Sequence, residues 1–226
     1  MSDSAAHEIA ERLQKIQRRI PQTVRLIAVT KTFSADTVRA AYAAGLREFA
    51  ENKVQEALTK QQALTDLTAV TWHFIGHVQS NKSRKVLENF DWIHSVDSLK
   101  LAKRLNQQAV ELNRVPTCCL QVKLAPDPTK AGFTQAELMA ALPELDQLAQ
   151  LNIVGLMVIP PYGLSLDQTQ EIFGRAQLLA AEIAHMGLGK IQMKELSMGM
   201  SGDFEAAIAQ GATLVRIGSG LFGQRQ

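Results

Sequence analysis

Three groups of residues in this chain have the types and spacing to do chemistry. The first is Lys31, which ends the apolar, β-branched run Arg25-Leu-Ile-Ala-Val-Thr-Lys31. An ammonium at the end of a buried strand costs desolvation energy, and one compensation is to lose the proton, which leaves an amine able to form an imine with an aldehyde. The competing reading is a lysine that snorkels into solvent. The second group is a pair of small-residue loops, Ser197-Met-Gly-Met-Ser-Gly-Asp203 and Arg216-Ile-Gly-Ser-Gly-Leu-Phe-Gly223. Glycines let the backbone come close to a ligand, and Ser201 and Ser219 add hydroxyl donors, a combination that suits a phosphate. Without a ligand, Ser201 reads as a helix cap and the glycines as turn formers. The third is Arg216, whose guanidinium only donates hydrogen bonds and, facing a pyridine nitrogen, would keep that nitrogen unprotonated. An ion pair with Glu195 is the alternative for it.

These residues need elements to hold them, and the chain supplies a regular alternation. Ile9, Leu13, Ile16 and Ile20 recur at helical spacing and predict a helix over 7–19, ended by Pro21. A strand over 26–30 follows; Ser34 then caps a helix that carries Asp36 in its first turn and is closed by Gly45. Further strands are expected at 47–50, 70–76, 92–96, 117–124, 153–159, 192–197 and 213–218. Helices fall between them at 54–64, 82–90, 99–112, 134–149, 167–186 and 202–210. Asp97 and Ser98 can cap the helix at 99, Thr134 and Glu137 have capping-box spacing, and Asp167 with Gln170 fits a helix start whose far end is Gly187. Alternating βα units require a parallel sheet, and eight of them predict an α/β fold, a single (β/α)₈ TIM barrel with an extra N-terminal helix. No G-x-G-x-x-G follows the first strand, which argues against a dinucleotide-binding sheet. One domain over 1–226 is expected, with the helix in 1–20 packed on the barrel.

In such a barrel the loops at the C-terminal ends of the strands gather into one mouth, and phosphate is commonly held after strands seven and eight. Lys31 shares a strand face with Ile27 and Val29 and therefore points into that mouth. The rest of the composition excludes other classes. Lys+Arg 24 against Asp+Glu 22 gives a net charge of +2, no basis for nucleic-acid or membrane binding. A hydrophobic share of 46% and a charged share of 20% are those of a soluble protein with a sizeable core. The first residues lack a basic stretch followed by an apolar one, so no secretory signal is expected, and no apolar run reaches membrane-spanning length. Cys118 and Cys119 are adjacent on a strand, point to opposite faces and are expected to be buried thiols, which fits a reducing cytoplasm. His73 and His77 straddle a strand end without a third ligand nearby; no metal is expected, and His73 reads as a hydrogen-bonded residue inside the barrel.

A lysine imine, a phosphate cradle and an arginine on a ring nitrogen together describe pyridoxal 5′-phosphate (PLP). Over nearly its whole length the chain also resembles the pyridoxal phosphate homeostasis proteins of the YggS/PROSC type. The resemblance rests on Ala28-Val-Thr-Lys31-Thr, Glu51-Asn-Lys-Val-Gln-Glu56, Trp72-His-Phe-Ile-Gly76 with Gln79 and Asn81-Lys82, and Thr129-Lys-Ala-Gly-Phe133. It rests also on Gly155-Leu-Met157, Leu196-Ser-Met-Gly-Met-Ser201 with Asp203, and Val215-Arg-Ile-Gly218 with Phe222-Gly223. It implies a barrel similar to the N-terminal domain of alanine racemase, with PLP on Lys31, its phosphate on Ser201, Gly218 and Ser219, Arg216 at the pyridine nitrogen and Gly202 among the cofactor-binding residues. Asn52, Ile75, Gly76, Met157 and Ser197 match positions that line the cofactor. The chain departs from the pattern at Phe33 and Ser34, where members often carry a second lysine and a proline, which argues against a second nearby lysine as an acceptor but leaves the imine at Lys31 unaffected.

The resemblance further implies a PLP carrier. In alanine racemase a second, mostly β domain supplies a catalytic tyrosine and the dimer contact; with the chain ending at Gln226, that domain is expected to be absent and the protein monomeric. Only Tyr42 and Tyr162 occur, and Tyr42 reads as a helix residue. The expectation is a non-enzymatic protein of PLP (vitamin B6) homeostasis and amino/keto acid balance that serves PLP-dependent apoenzymes. The alternatives are a one-domain PLP-dependent racemase or decarboxylase, and a phosphosugar enzyme whose imine forms with its own substrate.

Overall fold

The structure is a computed structural model describing residues 3–224, so the outermost residues of the expected domain lie outside the described residues. Nine strands follow the chain: β1 (Arg25–Val29), β2 (Glu48–Glu51), β3 (Thr71–Phe74), β4 (Trp92–Val96), β5 (Thr117–Lys123), β6 (Phe133–Thr134), β7 (Asn152–Met157), β8 (Glu195–Ser197) and β9 (Leu214–Ile217). The helices are α1 (Asp3–Gln17), α2 (Ala35–Ala43), α3 (Val54–Ala63), α4 (Ser83–Asn89), α5 (Leu99–Leu112), α6 (Gln135–Leu145), α7 (Leu166–His185), α8 (Phe204–Ala209) and α9 (Ser219–Phe222). Every strand pairing is parallel, in the order β4-β3-β2-β1-β9-β8-β7-β5, and β4 pairs with β5 to close the ring. Eight strands thus form a closed barrel, and β6 is a two-residue addition hung on the end of β5. The helix α1 lies against α2 and α9, with Ile9, Leu13 and Ile16 buried.

Strand alternation divides the side chains. Ala28, Phe49, Phe74, Ile93 and Leu120 turn outward into the main core beneath the helices, while Ile27, Val29, Ala50 and Leu214 form a separate cluster inside the barrel. The adjacent cysteines divide the same way: Cys118 packs outward and Cys119 inward, both free thiols. In β7 the period is broken by a bulge, because Cys118 pairs with Ile153 but Cys119 with Gly155. Simple alternation would put Met157 on the outer face with Ile153; the inserted residue turns Val154 and Met157 into the barrel instead. Gly155 is required there, since a Cβ would stand 1.7 Å from the Glu195 carbonyl oxygen.

Several element ends differ from the sequence expectation. The helix expected to reach 149 stops at Leu145, two residues after Pro143, and the following Asp146 turns its carboxylate to the N–H groups of Gly189, Lys190 and Ile191. The helix expected over 167–186 starts at Leu166, and its cap lies two residues before Asp167, where Ser165 and Gln168 form a reciprocal capping box. Ser98, not Asp97, caps α5, while the expected Thr134–Glu137 box is present. The strand expected at 192–197 is regular only over Glu195–Ser197, although Gln192 and Lys194 still donate to Ile153 and Val154 beside the bulge. Gly202 and Asp203, expected in a helix, lie with Ser201 in a turn in which Asp203 Oδ1 accepts from Met200 N at 2.5 Å.

Candidate functional site

The turn that carries Lys31 is fixed from below. Thr30 is buried on the outer side of β1 and donates its hydroxyl to Glu51 Oε1 at 2.6 Å. Lys60, projecting from α3, donates to Glu51 Oε1 at 2.7 Å, to Glu56 Oε1 at 2.8 Å and to the Thr30 carbonyl at 2.7 Å. Glu56 Oε1 also accepts the Thr32 N–H. One buried lysine and two carboxylates therefore clamp the residues on both sides of Lys31, and they hold Thr32 at a left-handed φ of 71° that its β-branched side chain disfavours. Burial pushes the Glu51 carboxyl upward, against the hydrogen bonds from Lys60 and Thr30. For Glu56 burial also acts upward, but the bonds from Lys60 and Thr32 N outweigh it and hold its carboxyl below its ordinary value. Lys31 itself is half-buried. Beyond it, the ring of Phe33 packs on Phe222 of α9 with centroids 5.0 Å apart, which ties this turn to the last loop of the barrel.

Arg216 lies next to that turn. β1 and β9 are neighbours, with Ile27 beside Arg216 and Ala28 beside Ile217, so Lys31 and Gly218-Ser219 leave the barrel side by side. A Cβ at Gly218 would already touch Val29 at 3.4 Å. Arg216 points into the barrel and is 3% exposed, yet among the described residues no carboxylate lies within ion-pair distance of it. It donates from Nη1 to Ser197 Oγ at 2.7 Å and from Nη2 to the Val158 carbonyl at 3.0 Å. The proposed ion pair with Glu195 is not formed: Glu195 lies 3.6 Å from Arg25 and accepts from Thr213. Burial lowers the Arg216 guanidinium to about 10, partly countered by the charge of Asp203, and it stays cationic at neutral pH.

The two small-residue loops meet at Ser201, which does not cap a helix but accepts the Gly220 N–H at 3.0 Å. Gly202 is exposed and nothing stands within 4 Å of where its Cβ would be. Gly199, at φ +92°, turns the chain so that its carbonyl accepts from Arg216 N at 2.9 Å. On the opposite wall Gly76 lies against Asn52, whose carbonyl oxygen would be 2.1 Å from an added Cβ, and Ser95 Oγ donates to the Gly76 carbonyl. Ile75 packs with the interior cluster of Ile27 and Val29, Met157 with Cys119 and Val154. The eleven expected residues thus all stand at the C-terminal ends of strands or in the loops that follow. Contacts join Arg216 to Ser197, Ser201 to the Gly220 loop and Asn52 to Gly76.

Other titratable residues lie deeper. Glu48, His73 and His94 point into the barrel, and His94 Nδ1 lies 2.7 Å from Ser197 Oγ. His94 carried no signal in the sequence; its partner is 103 positions away. His77, exposed, pairs with Asp97 at 2.8 Å and shares nothing with His73. Among the described residues no group of three or more His, Cys, Asp and Glu side chains could hold a metal. Cys119 is pushed up to about 12 by burial, so it is no nucleophile at neutral pH.

The family model of the alanine racemase N-terminal domain matches residues 5–226, which take in the whole of this closed parallel barrel. An alanine racemase of Clostridium difficile superposes with a TM-score of 0.78 at 16% identity, over 96% of this chain and 57% of that one, a likeness of fold alone. The chain belongs to the family of pyridoxal phosphate homeostasis proteins. It is 51% identical over 206 residues to the pyridoxal phosphate homeostasis protein of Synechocystis sp., covering 91% of this chain and 94% of the relative. The structure of PipY from Synechococcus elongatus with PLP bound superposes with a TM-score of 0.92 at 53% identity, over 95% of this chain and all of that one.

Proposed function

We propose that this protein binds PLP at the barrel mouth, as an imine with Lys31 Nζ, and serves intracellular PLP homeostasis without catalysing a reaction of its own. The observation that carries the reading is Arg216: a buried cation with neutral hydrogen-bond partners, one strand away from the lysine turn. A cation in that position is costly unless a ligand acceptor uses it, and the ring nitrogen of PLP is such an acceptor. Arg216 donates to that nitrogen, Ser201, Gly202, Gly218 and Ser219 hold the phosphate, and Asn52, Ile75, Gly76, Met157 and Ser197 form the walls. The Synechococcus relative with PLP bound supports PLP as the ligand.

PLP supplies an electron sink for amino-acid chemistry, and an enzyme would add a positioned acid or base to it. The described residues offer little of that kind. The Tyr42 hydroxyl is spent on the Thr68 carbonyl at 2.9 Å, Tyr162 is fully exposed, and Arg216 leaves the ring nitrogen unprotonated. The Synechocystis and Pseudomonas aeruginosa relatives are named as homeostasis proteins. A carrier that hands PLP to apoenzymes, and so affects vitamin B6 and amino/keto acid balance, fits these features. Two buried free thiols suit the cytoplasm, and no described helix is long and apolar enough to cross a membrane.

The test is an absorbance titration of the purified protein with PLP. An imine band should rise to one equivalent, be absent from Lys31→Ala, and persist with single amino-acid enantiomers without turnover. No band in the wild type would refute the binding reading; multiple turnovers of an amino acid would refute the carrier reading and favour a one-domain racemase or decarboxylase.

A further inference from the structure

A line of buried polar groups crosses the barrel beneath the mouth. Arg216 Nη1 donates to Ser197 Oγ at 2.7 Å, and Ser197 Oγ lies 2.7 Å from His94 Nδ1. His94 Nε2 is 3.0 Å from His73 Nδ1, and His73 Nε2 is 3.2 Å from Glu48 Oε2, off the angle of a regular hydrogen bond. Glu48 in turn takes both arms of Arg25, at 3.0 and 2.6 Å. The line enters at β2, passes through β3 and β4, and crosses the barrel interior to β8 and β9.

Chemistry gives it a direction. Glu48 is a carboxylate: burial acts upward, but the close approach of His73 and the bonds from Arg25 win and bring it down to about 2. A carboxylate only accepts, so His73 must present Nε2–H to it, which leaves His73 Nδ1 bare. His94 must then carry its hydrogen on Nε2, leaving its own Nδ1 to accept from the Ser197 hydroxyl. With its proton committed to His94, the Ser197 oxygen is a pure acceptor towards Arg216. The reverse direction would aim the lone pair of His73 Nε2 at the Glu48 carboxylate. Burial, opposed for His73 by Glu48 and reinforced for His94 by the charges of His73 and Arg216, lowers both imidazoles, which keeps one hydrogen on each ring. The other charged groups around the pair are Arg25 and, towards His73, Asp91; Trp92 stacks on His73 at 5.5 Å.

We infer that Glu48, His73 and His94 are positioning residues: a one-way hydrogen-bond relay that polarises the Ser197 hydroxyl so that it anchors Arg216 at the cofactor ring. The functional part rests on the PLP reading above; the relay itself does not. The ligand-free protein labelled with ¹⁵N-histidine should show His73 and His94 as neutral Nε2–H tautomers at neutral pH, recognised by their contacts with Trp92. An Nδ1–H tautomer or an imidazolium at either ring would overturn the relay. Glu48→Gln removes the charge that orders the line and keeps its shape. It should give mixed tautomers and a PLP dissociation constant raised about tenfold, with the melting cooperativity retained. Unchanged tautomers or unchanged affinity would sink the proposal; if this variant does not fold, the wild-type tautomers alone decide. Absence of an imine band in the wild type would count against the PLP reading and leave the tautomer result standing.

Discussion

The protein buries two cations near its mouth and treats them in opposite ways. Lys60, outside the strands beneath α3, is met by Glu51 and Glu56, and its hydrogen bonds hold the backbone around Lys31. Arg216, inside the barrel, is met by a hydroxyl and a carbonyl. A buried ion that is paired and hydrogen-bonded serves the fold, because its charge is used up by its neighbours. A buried ion with only neutral partners keeps its charge for something else. The contrast separates the scaffold of the site from its working part: the ionic clamp sets where Lys31 stands, and the neutral relay leaves Arg216 available.

The contrast is broken most strongly at Lys60. Lys60→Met leaves Glu51 buried without its cation and should cost about 3–5 kcal/mol in urea unfolding. Adding Glu51→Leu should recover much of that, whereas an equal loss in the double variant would show that packing, not charge, dominates. A second test is pH. The two histidines have lowered folded values, so below their ordinary value of 6.5 the unfolded chain takes up more protons and stability falls with acid. Glu48, at about 2 against 4.5, adds on the order of 2–3 kcal/mol of stability that is present above pH 4.5 and is lost between there and about pH 2. Stability should therefore decline from about pH 6 downward in two stages, and the lower stage should shrink in Glu48→Gln, the remainder belonging to carboxylates such as Glu56 and Asp146 that are also held below their ordinary values. A flat profile between pH 6 and 3 would contradict the assigned protonation states.

At Arg216 the expected loss of stability is much smaller than at Lys60. Removing an ion that has no carboxylate partner also removes its desolvation cost, so Arg216→Met should leave the ligand-free protein within about 1 kcal/mol of the wild type while weakening PLP binding. A loss as large as that of Lys60→Met would make Arg216 a structural residue. The smallest effect belongs to the surface: breaking the exposed Arg84–Glu111 pair should leave the melting point unchanged within error.

How far this could be read from the sequence follows the range of the interactions. Lys31 announced itself because an apolar run ends on it, and the two serine-glycine loops because their composition is local. The barrel followed from the alternation of periods. Lys60 did not stand out, since Glu56 and Lys60 at i, i+4 look like an ordinary surface pair on a helix; only the depth of Glu51 makes them a buried clamp. The relay could not be seen because its partners join across the closed barrel, His94 to Ser197, and because bulges in β4 and β7 shift which residues face inward. β6 and α9, of two and four residues, are too short to show a period.

The clamp beneath the mouth has its proposed purpose only if the cofactor attaches to Lys31. Protein loaded with PLP, reduced with borohydride and digested should carry the added pyridoxyl mass on the peptide that contains Lys31, with none recovered from Lys31→Ala. Label on Lys60 or another lysine, or no covalent label in the wild type, would contradict the central claim that the clamp below the mouth exists to present Lys31 to PLP.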